Sequence, residues 1–140
     1  MFGPAGHLYV YFTYGMHFCM NVVTGGVAEG AAVLLRAAEP VAGIAEMRRS
    51  RGRDVLHELC SGPAKLCEAF GVDRSFDGMD LVRGRDMWIA EGDPETPSRI
   101  ARGARVGISV AVDRQWRYSV REDPWVSRGR RRGSVSRSES

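Results

Sequence analysis

Lysine is all but missing from this chain of 140 residues: Lys65 stands alone beside nineteen arginines, and the 20 Lys+Arg against 17 Asp+Glu leave a formal net charge of +3. Arginine forks match phosphate oxygens two at a time, so an Arg-dominated basic chain is compatible with nucleic acid. A genome rich in G and C, which favours Arg codons, accounts for the same bias, and charge alone does not choose between them. Cysteine is scarce and odd in number. Cys19, Cys60 and Cys67 form no close pair, which excludes a disulfide framework and points to buried reduced thiols. No CxxC or HxxxH spacing accompanies His17 and Cys19, so a metal site is not expected. No apolar run approaches the roughly 20 residues of a membrane span. Met1-Phe2-Gly3-Pro4 is not the basic and then apolar start of a signal peptide. Internal repeats are also lacking. The expectation is an intracellular protein of the cytoplasm or nucleoid, with no membrane partner.

What is present suits one domain with a modest core, since 44% of the residues are hydrophobic and 26% charged. Residues 8 to 14 alternate as a strand, with Tyr9, Tyr11 and Thr13 on one face and Val10, Phe12 and Tyr14 on the other. Gly15 permits a bend, and residues 16 to 23 alternate again, Met16, Phe18, Met20 and Val22 opposing His17, Cys19, Asn21 and Val23. Ala31 to Ala37 reads as a third strand in which Arg36 is the anomaly, because a charge in a buried strand needs a partner or a task. Pro40 suits the first turn of a helix carrying Val41, Ile44 and Met47 to the core, followed by a basic loop from Arg48 to Arg53. Pro63 to Gly71 has the Pro, the apolar stripe and the terminal Gly of a short helix, whose start carries Lys65. Small strands are expected at Asp86 to Glu91, over Val106 to Val112, and over Trp116, Tyr118 and Val120. From Arg128 the composition turns to Arg, Gly and Ser, as in a disordered basic tail.

Three of the four tyrosines, Tyr9, Tyr11 and Tyr14, fall in the stretch from Gly6 to Asn21. Alternating rings, a Gly bend and a terminal Asn suit a surface that stacks on a base and wedges into a duplex. Cross-strand packing accounts for Tyr9 and Tyr11 equally well. Taken alone, Tyr14 is also readable as a turn aromatic, Asn21 as an exposed polar residue, Arg36 as an ion-pair partner of Glu39 or Glu46, and Lys65 as a solvated helix charge.

In order along the chain stand Gly6 to Asn21, Val33-Leu34-Leu35-Arg36-Ala37 with Glu39-Pro40, Leu59 to Cys67, and Arg105-Val106-Gly107 with Asp123-Pro124-Trp125-Val126-Ser127. Together these motifs resemble the alkyladenine type of 3-methyladenine DNA glycosylase. The resemblance implies a mixed α/β (α+β) fold. Residues 1–127 would form a single domain around a curved antiparallel sheet, with a protruding β-hairpin inserted into DNA, and 128–140 a tail. It implies a base-excision repair hydrolase, monomeric and without cofactor or metal, whose partner is double-stranded DNA containing alkylated purines. The damaged nucleotide would be flipped out, and water would attack the sugar. By the same resemblance Tyr14 fills the space the nucleotide leaves, with Met16 beside it. Tyr11 stacks on the extruded base, where an electron-rich ring favours a cationic alkylated purine. Asn21 lines the pocket against guanine, Arg36 positions the water or a phosphate oxygen, and Lys65 contacts the backbone.

The family pattern also places a water-activating Glu upstream of the Met-Phe-Gly-Pro stretch at which this chain begins. Glu29 and Glu39 do not replace it, since Glu29 lies in a turn and strand alternation points Glu39 away from Arg36. A positioned carboxylate is worth roughly 10² to 10⁴ in rate, so little or no glycosylase activity is expected of this chain. The alternative is a non-catalytic module that binds damaged DNA or another nucleic acid.

Overall fold

In the computed structural model, residues 3–13, 16–26, 29–106 and 113–126 are described. Strand β1 (Leu8–Thr13) runs antiparallel to β2 (His17–Thr24), which pairs in turn with β3 (Ala31–Leu34), giving the order β1-β2-β3. The alternation of apolar and aromatic residues sets what each face carries. Leu8, Val10 and Phe12 lie opposite Val22, Met20 and Phe18, while Tyr9, Tyr11 and Thr13 lie opposite Asn21, Cys19 and His17.

The first of these faces is the core. Leu8, Val10 and Met20 pack with Met47 of helix α1 (Ile44–Arg51), with Leu66, Cys67 and Ala69 of helix α2 (Pro63–Phe70), and with Leu59, Val72 and Leu81. Leu8, Leu59 and Leu81 are sealed from solvent, and burial of each is worth about 1.5–3 kcal/mol. Arg51 ties the two helices together: its guanidinium donates to the Leu59 and Glu58 carbonyls at 3.1 Å each and meets the Glu68 carboxylate at 3.3 Å.

The outer edge of β1 is closed by residues 77–81. The Leu8 N–H donates to the Met79 carbonyl and the Gly78 N–H to the Leu8 carbonyl, both at 2.8 Å, and the Asp77 carboxylate accepts the Val10 N–H at 2.9 Å. Gly6 makes this closure possible. It sits at φ +81°, where a Cβ would lie 2.8 Å from a Val82 methyl. A second, two-stranded antiparallel sheet joins β4 (Ile100–Gly103) to β5 (Arg117–Val120). No helix among the described residues is long and apolar enough to cross a membrane.

The fold is thus mixed α and β with antiparallel sheets, and its described strands form two sheets instead of one. Several boundaries differ from the sequence expectation. β3 ends at Leu34, short of Ala37. Helix α1 begins at Ile44 after Gly43, so Val41 is 81% exposed instead of buried, and Arg48 to Arg51 form its last turn, not a loop. Residues 86–91 make no strand: Met87 packs against the core, but Ile89 donates its N–H to the Leu81 carbonyl and stays exposed. β4 was not expected at all, and the anticipated Val106–Val112 strand lies mostly outside the described residues. Tyr14, Gly15 and the basic tail lie outside them too.

Candidate functional site

The face of the sheet opposite the core opens on a groove of about 1120 Å³ that runs along β3. Tyr9, Tyr11, Asn21 and residues 30–39 form one wall, and Arg105, Val106, residues 116–120, Asp123, Trp125 and Val126 the other. Strand register explains the first wall. Tyr9 is opposite Asn21 on β2, and Asn21 is opposite Leu34 on β3. Continuing that register beyond β3 brings Arg36 opposite Cys19, which is itself opposite Tyr11. The Leu35 N–H still donates to the Met20 carbonyl at 3.1 Å, so the pairing persists past the strand's end.

Two rungs therefore cross the groove face, Tyr9–Asn21–Leu34 and Tyr11–Cys19–Arg36. Asn21 is the one buried polar residue of the described set, at 7% exposure, and its amide donates to the Tyr9 carbonyl at 3.3 Å. The Tyr9 and Tyr11 rings lie 5.7 Å apart at 34°. Burial raises the Cys19 thiol above its ordinary range, opposed by a hydrogen bond from Tyr11 and by the charge of Arg36. Burial and the nearby charge of Arg117 lower the pKa of Arg36, while Cys19 and Tyr11 act the other way. Arg36 and Arg117 thus line one groove within range of each other's charge, which suits an anionic ligand.

Tyr11, Asn21 and Arg36 are brought together by the fold; Met16 and Lys65 are placed elsewhere. Met16, 74% exposed, follows the β1–β2 turn and borders a smaller depression with α2. Lys65 projects from the exposed side of α2, which packs on the core face of the sheet, and its Nζ donates to the Ser61 hydroxyl at 3.3 Å. Glu39 corrects a sequence expectation. It lines the same groove as Arg36, because regular strand geometry stops at Leu34 and alternation no longer governs it.

Sequence reasoning assigned no role to Arg117, Trp116, Tyr118, Asp123 or Trp125, all of which line the far wall. The Asp-Pro-Trp motif was visible but without a function. In the structure the Asp123 carboxylate accepts the Trp125 N–H at 2.8 Å, and the Trp125 ring stacks on His57 with centroids 4.6 Å apart. Among the described residues no group of three His, Cys, Asp or Glu side chains could hold a metal ion.

Both walls carry the quoted motifs, and comparison with known proteins agrees. The chain belongs to the methylpurine-DNA glycosylase family, whose model matches residues 1–124. It is 44% identical over 128 residues to a protein of Carboxydothermus hydrogenoformans, a match covering 91% of this chain and 67% of that one. It is 47% identical over 133 residues to one of Burkholderia cenocepacia, covering 91% and 62%. With one of Agrobacterium fabrum the identity is 47% over 128 residues, covering 91% and 63%. All three are named as 3-methyladenine DNA glycosylases. The chain spans about two thirds of the length of these curated relatives.

Proposed function

We propose that this chain carries the damaged-base pocket of a DNA-repair glycosylase and binds duplex DNA containing alkylated purines of the 3-methyladenine type. The observation that carries this reading is the convergence of Tyr11, Asn21 and Arg36 on one face of the β1-β2-β3 sheet, inside one groove. Tyr11 presents a π surface on which an extruded purine stacks, and a cationic, alkylated ring gains most from it. Asn21, pinned through Tyr9, lines the floor and disfavours guanine's amino group. Arg36, with Arg117 across the groove, holds the attacking water or a phosphate oxygen.

Tyr14, which falls between β1 and β2 in the sequence, fills the space vacated by the flipped nucleotide, with the exposed Met16 beside it. That filling offsets part of an unstacking cost of about a few kcal/mol. Lys65 reaches a flanking phosphate. The protein acts as a monomer inside the cell, in one domain over residues 1–127 with the 128–140 tail appended.

Base release by this chain as it stands is weak or absent. The carboxylates among the described groove residues are Glu39 and Asp123. Glu39 is exposed, and Asp123 is engaged by the Trp125 N–H. Neither is held ready to take a proton from water, and a positioned base is worth about 10² to 10⁴ in rate. The leading outcome is therefore selective binding of alkylated duplex with little chemistry, which is also what a non-catalytic damage-binding module would do.

The test incubates the chain with duplex carrying one 3-methyladenine-type lesion and measures binding and free base separately. Equal affinity for lesion and undamaged duplex overturns the pocket assignment. Base release that Glu39→Gln or Asp123→Asn abolishes overturns the inactivity and assigns that carboxylate the water. Tyr14→Ala should weaken the lesion preference while general, salt-dependent binding persists.

A further inference from the structure

The two-stranded sheet carries an aromatic and basic strip along the far wall of the groove, whose lining includes Arg105, Trp116 and Tyr118. Register places Arg102 of β4 opposite Tyr118 of β5, and Ile100 opposite Val120. Trp116 stands immediately before β5, two residues from Tyr118. Arg117, one residue over, alternates to the opposite face of β5, and its charge lowers the pKa of Arg36.

Both rings are exposed, Trp116 by 55% and Tyr118 by 58%. Each is covered by guanidinium. The Arg102 Cζ lies 5.3 Å from the Tyr118 centroid, and Trp116 has Arg114 at 5.3 Å and Arg105 at 5.8 Å. None of these three arginines joins an ion pair among the described residues. In residues 100–106 and 113–118 four arginines stand against one carboxylate, Asp113.

An isolated surface arginine is a poor anion receptor, because fixing its long side chain costs rotamer entropy. A ring beneath the guanidinium reduces that loss and leaves the N–H fork turned outward. Two residues of extended backbone span roughly 7 Å, so Trp116 and Tyr118 have a spacing comparable to that of successive phosphates on one nucleic-acid strand. Their surplus positive charge has no internal partner among the described residues.

We infer that the β4–β5 strip, through Arg102, Arg105 and Arg114 seated on Tyr118 and Trp116, grips the DNA sugar-phosphate backbone along the far wall of the groove. This rests on the proposed function above and extends it from the pocket to a phosphate track. The strip adds affinity without reading sequence, since phosphate contacts position and base contacts specify. It keeps the strand beside the wall from which Arg117 faces the pocket.

The test titrates the full chain against a short fluorescent DNA duplex over a salt series and follows anisotropy. For the triple variant Arg102→Gln, Arg105→Gln, Arg114→Gln, loss of three phosphate contacts should flatten the slope of log K on log [salt] by about 2–3 and weaken binding about 10–100-fold near ~0.1 M salt. Each single Arg→Gln variant, if the triple fails to fold, should flatten it by about 0.9. Trp116→Leu should weaken binding several-fold with a smaller change in slope. Wild-type slope and affinity in the folded Gln variants overturn the phosphate track and leave the pocket reading intact. Displacement of the duplex by polyglutamate at equal charge concentration overturns it in favour of an acidic polypeptide. Absence of any salt-dependent duplex binding by the wild type removes the DNA reading itself, and the track with it.

Discussion

Asn21 and Tyr9 face one another across the β1–β2 ladder, and the Asn21 side-chain amide donates to the Tyr9 carbonyl at 3.3 Å. This bond fixes the amide's orientation in the floor of the groove, so on the proposed reading the same contact serves stability and selectivity. Asn21→Ala should destabilise the protein by about 1–2 kcal/mol, the cost of removing a buried hydrogen bond and its partner's satisfaction. Urea denaturation reads this as a lower midpoint at unchanged slope. A wild-type midpoint would mean that the amide is dispensable to the fold.

Gly6 predicts a strain that two substitutions can separate. Its φ of +81° disfavours any L side chain, and an added Cβ meets the Val82 methyl at 2.8 Å. Gly6→Ala should cost about 1–3 kcal/mol, because backbone strain and a clash act together where the 77–81 segment seals β1. Adding Val82→Ala should recover the steric part alone. Full recovery would show that the backbone conformation was never the problem.

Arg51 shows what sequence reading could and could not reach. Alternation over residues 8–23 revealed the β1–β2 hairpin, the tyrosine face and the position of Asn21, because a period of two is decisive when one face is buried. Pro63 and Gly71 likewise bounded α2, which the structure ends with Gly71 in the left-handed conformation. The strand at 86–91 failed for a physical reason: an apolar alternation without a paired neighbour stays irregular, and among the described residues Ile89 finds one carbonyl, that of Leu81. β4 reads Ile-Ala-Arg-Gly, too short and too polar to announce a strand, and it exists through its pairing with β5. Arg51 looked like part of a basic loop, yet its side chain is 9% exposed and bonds two carbonyls and Glu68. Nothing local in the sequence marks such a long-range clasp. The far wall of the groove escaped for the same reason, since Arg117 and Trp125 meet the tyrosine face only through the fold.

That clasp gives its own prediction. Arg51→Ala should cost about 2–3 kcal/mol, because the Leu59 carbonyl, next to the sealed core, loses a charged donor. Glu68 is 45% exposed on its side chain, so Glu68→Gln should cost under about 1 kcal/mol. Thermal or urea unfolding of the two variants gives the ranking. Equal losses would place the energy in the ion pair instead of the carbonyls.

Cys67 should make the protein sensitive to alkali. Burial pushes its thiol up to about 11 from an ordinary 9.0. The unfolded chain therefore releases this proton first as pH rises. The stabilising effect of a protonated Cys67 is complete below pH 9 and is lost as pH climbs toward 11. Cys19 and Cys60 are raised by burial as well and steepen the same loss. Unfolding midpoints measured across that window should fall, and Cys67→Ala should flatten the fall while lowering stability at neutral pH. A thiol reagent should modify all three cysteines in urea and none at a comparable rate in the native protein.

Tyr11 separates the stacking role from the structural one. Its ring lies beside Tyr9 at 5.7 Å on the groove face, and its hydroxyl bonds toward Cys19. If the ring carries the damaged base, Tyr11→Phe should keep the preference for an alkylated purine. Tyr11→Leu should lose about 1–3 kcal/mol of it, some 10–100-fold, as for other base–aromatic stacks. Affinity for undamaged duplex should not change in either. The measurement is the ratio of affinities for lesion and undamaged duplex in each variant. Should Phe and Leu fall together, the hydroxyl's bond to Cys19 is what matters, and Cys19→Ala should reproduce the loss.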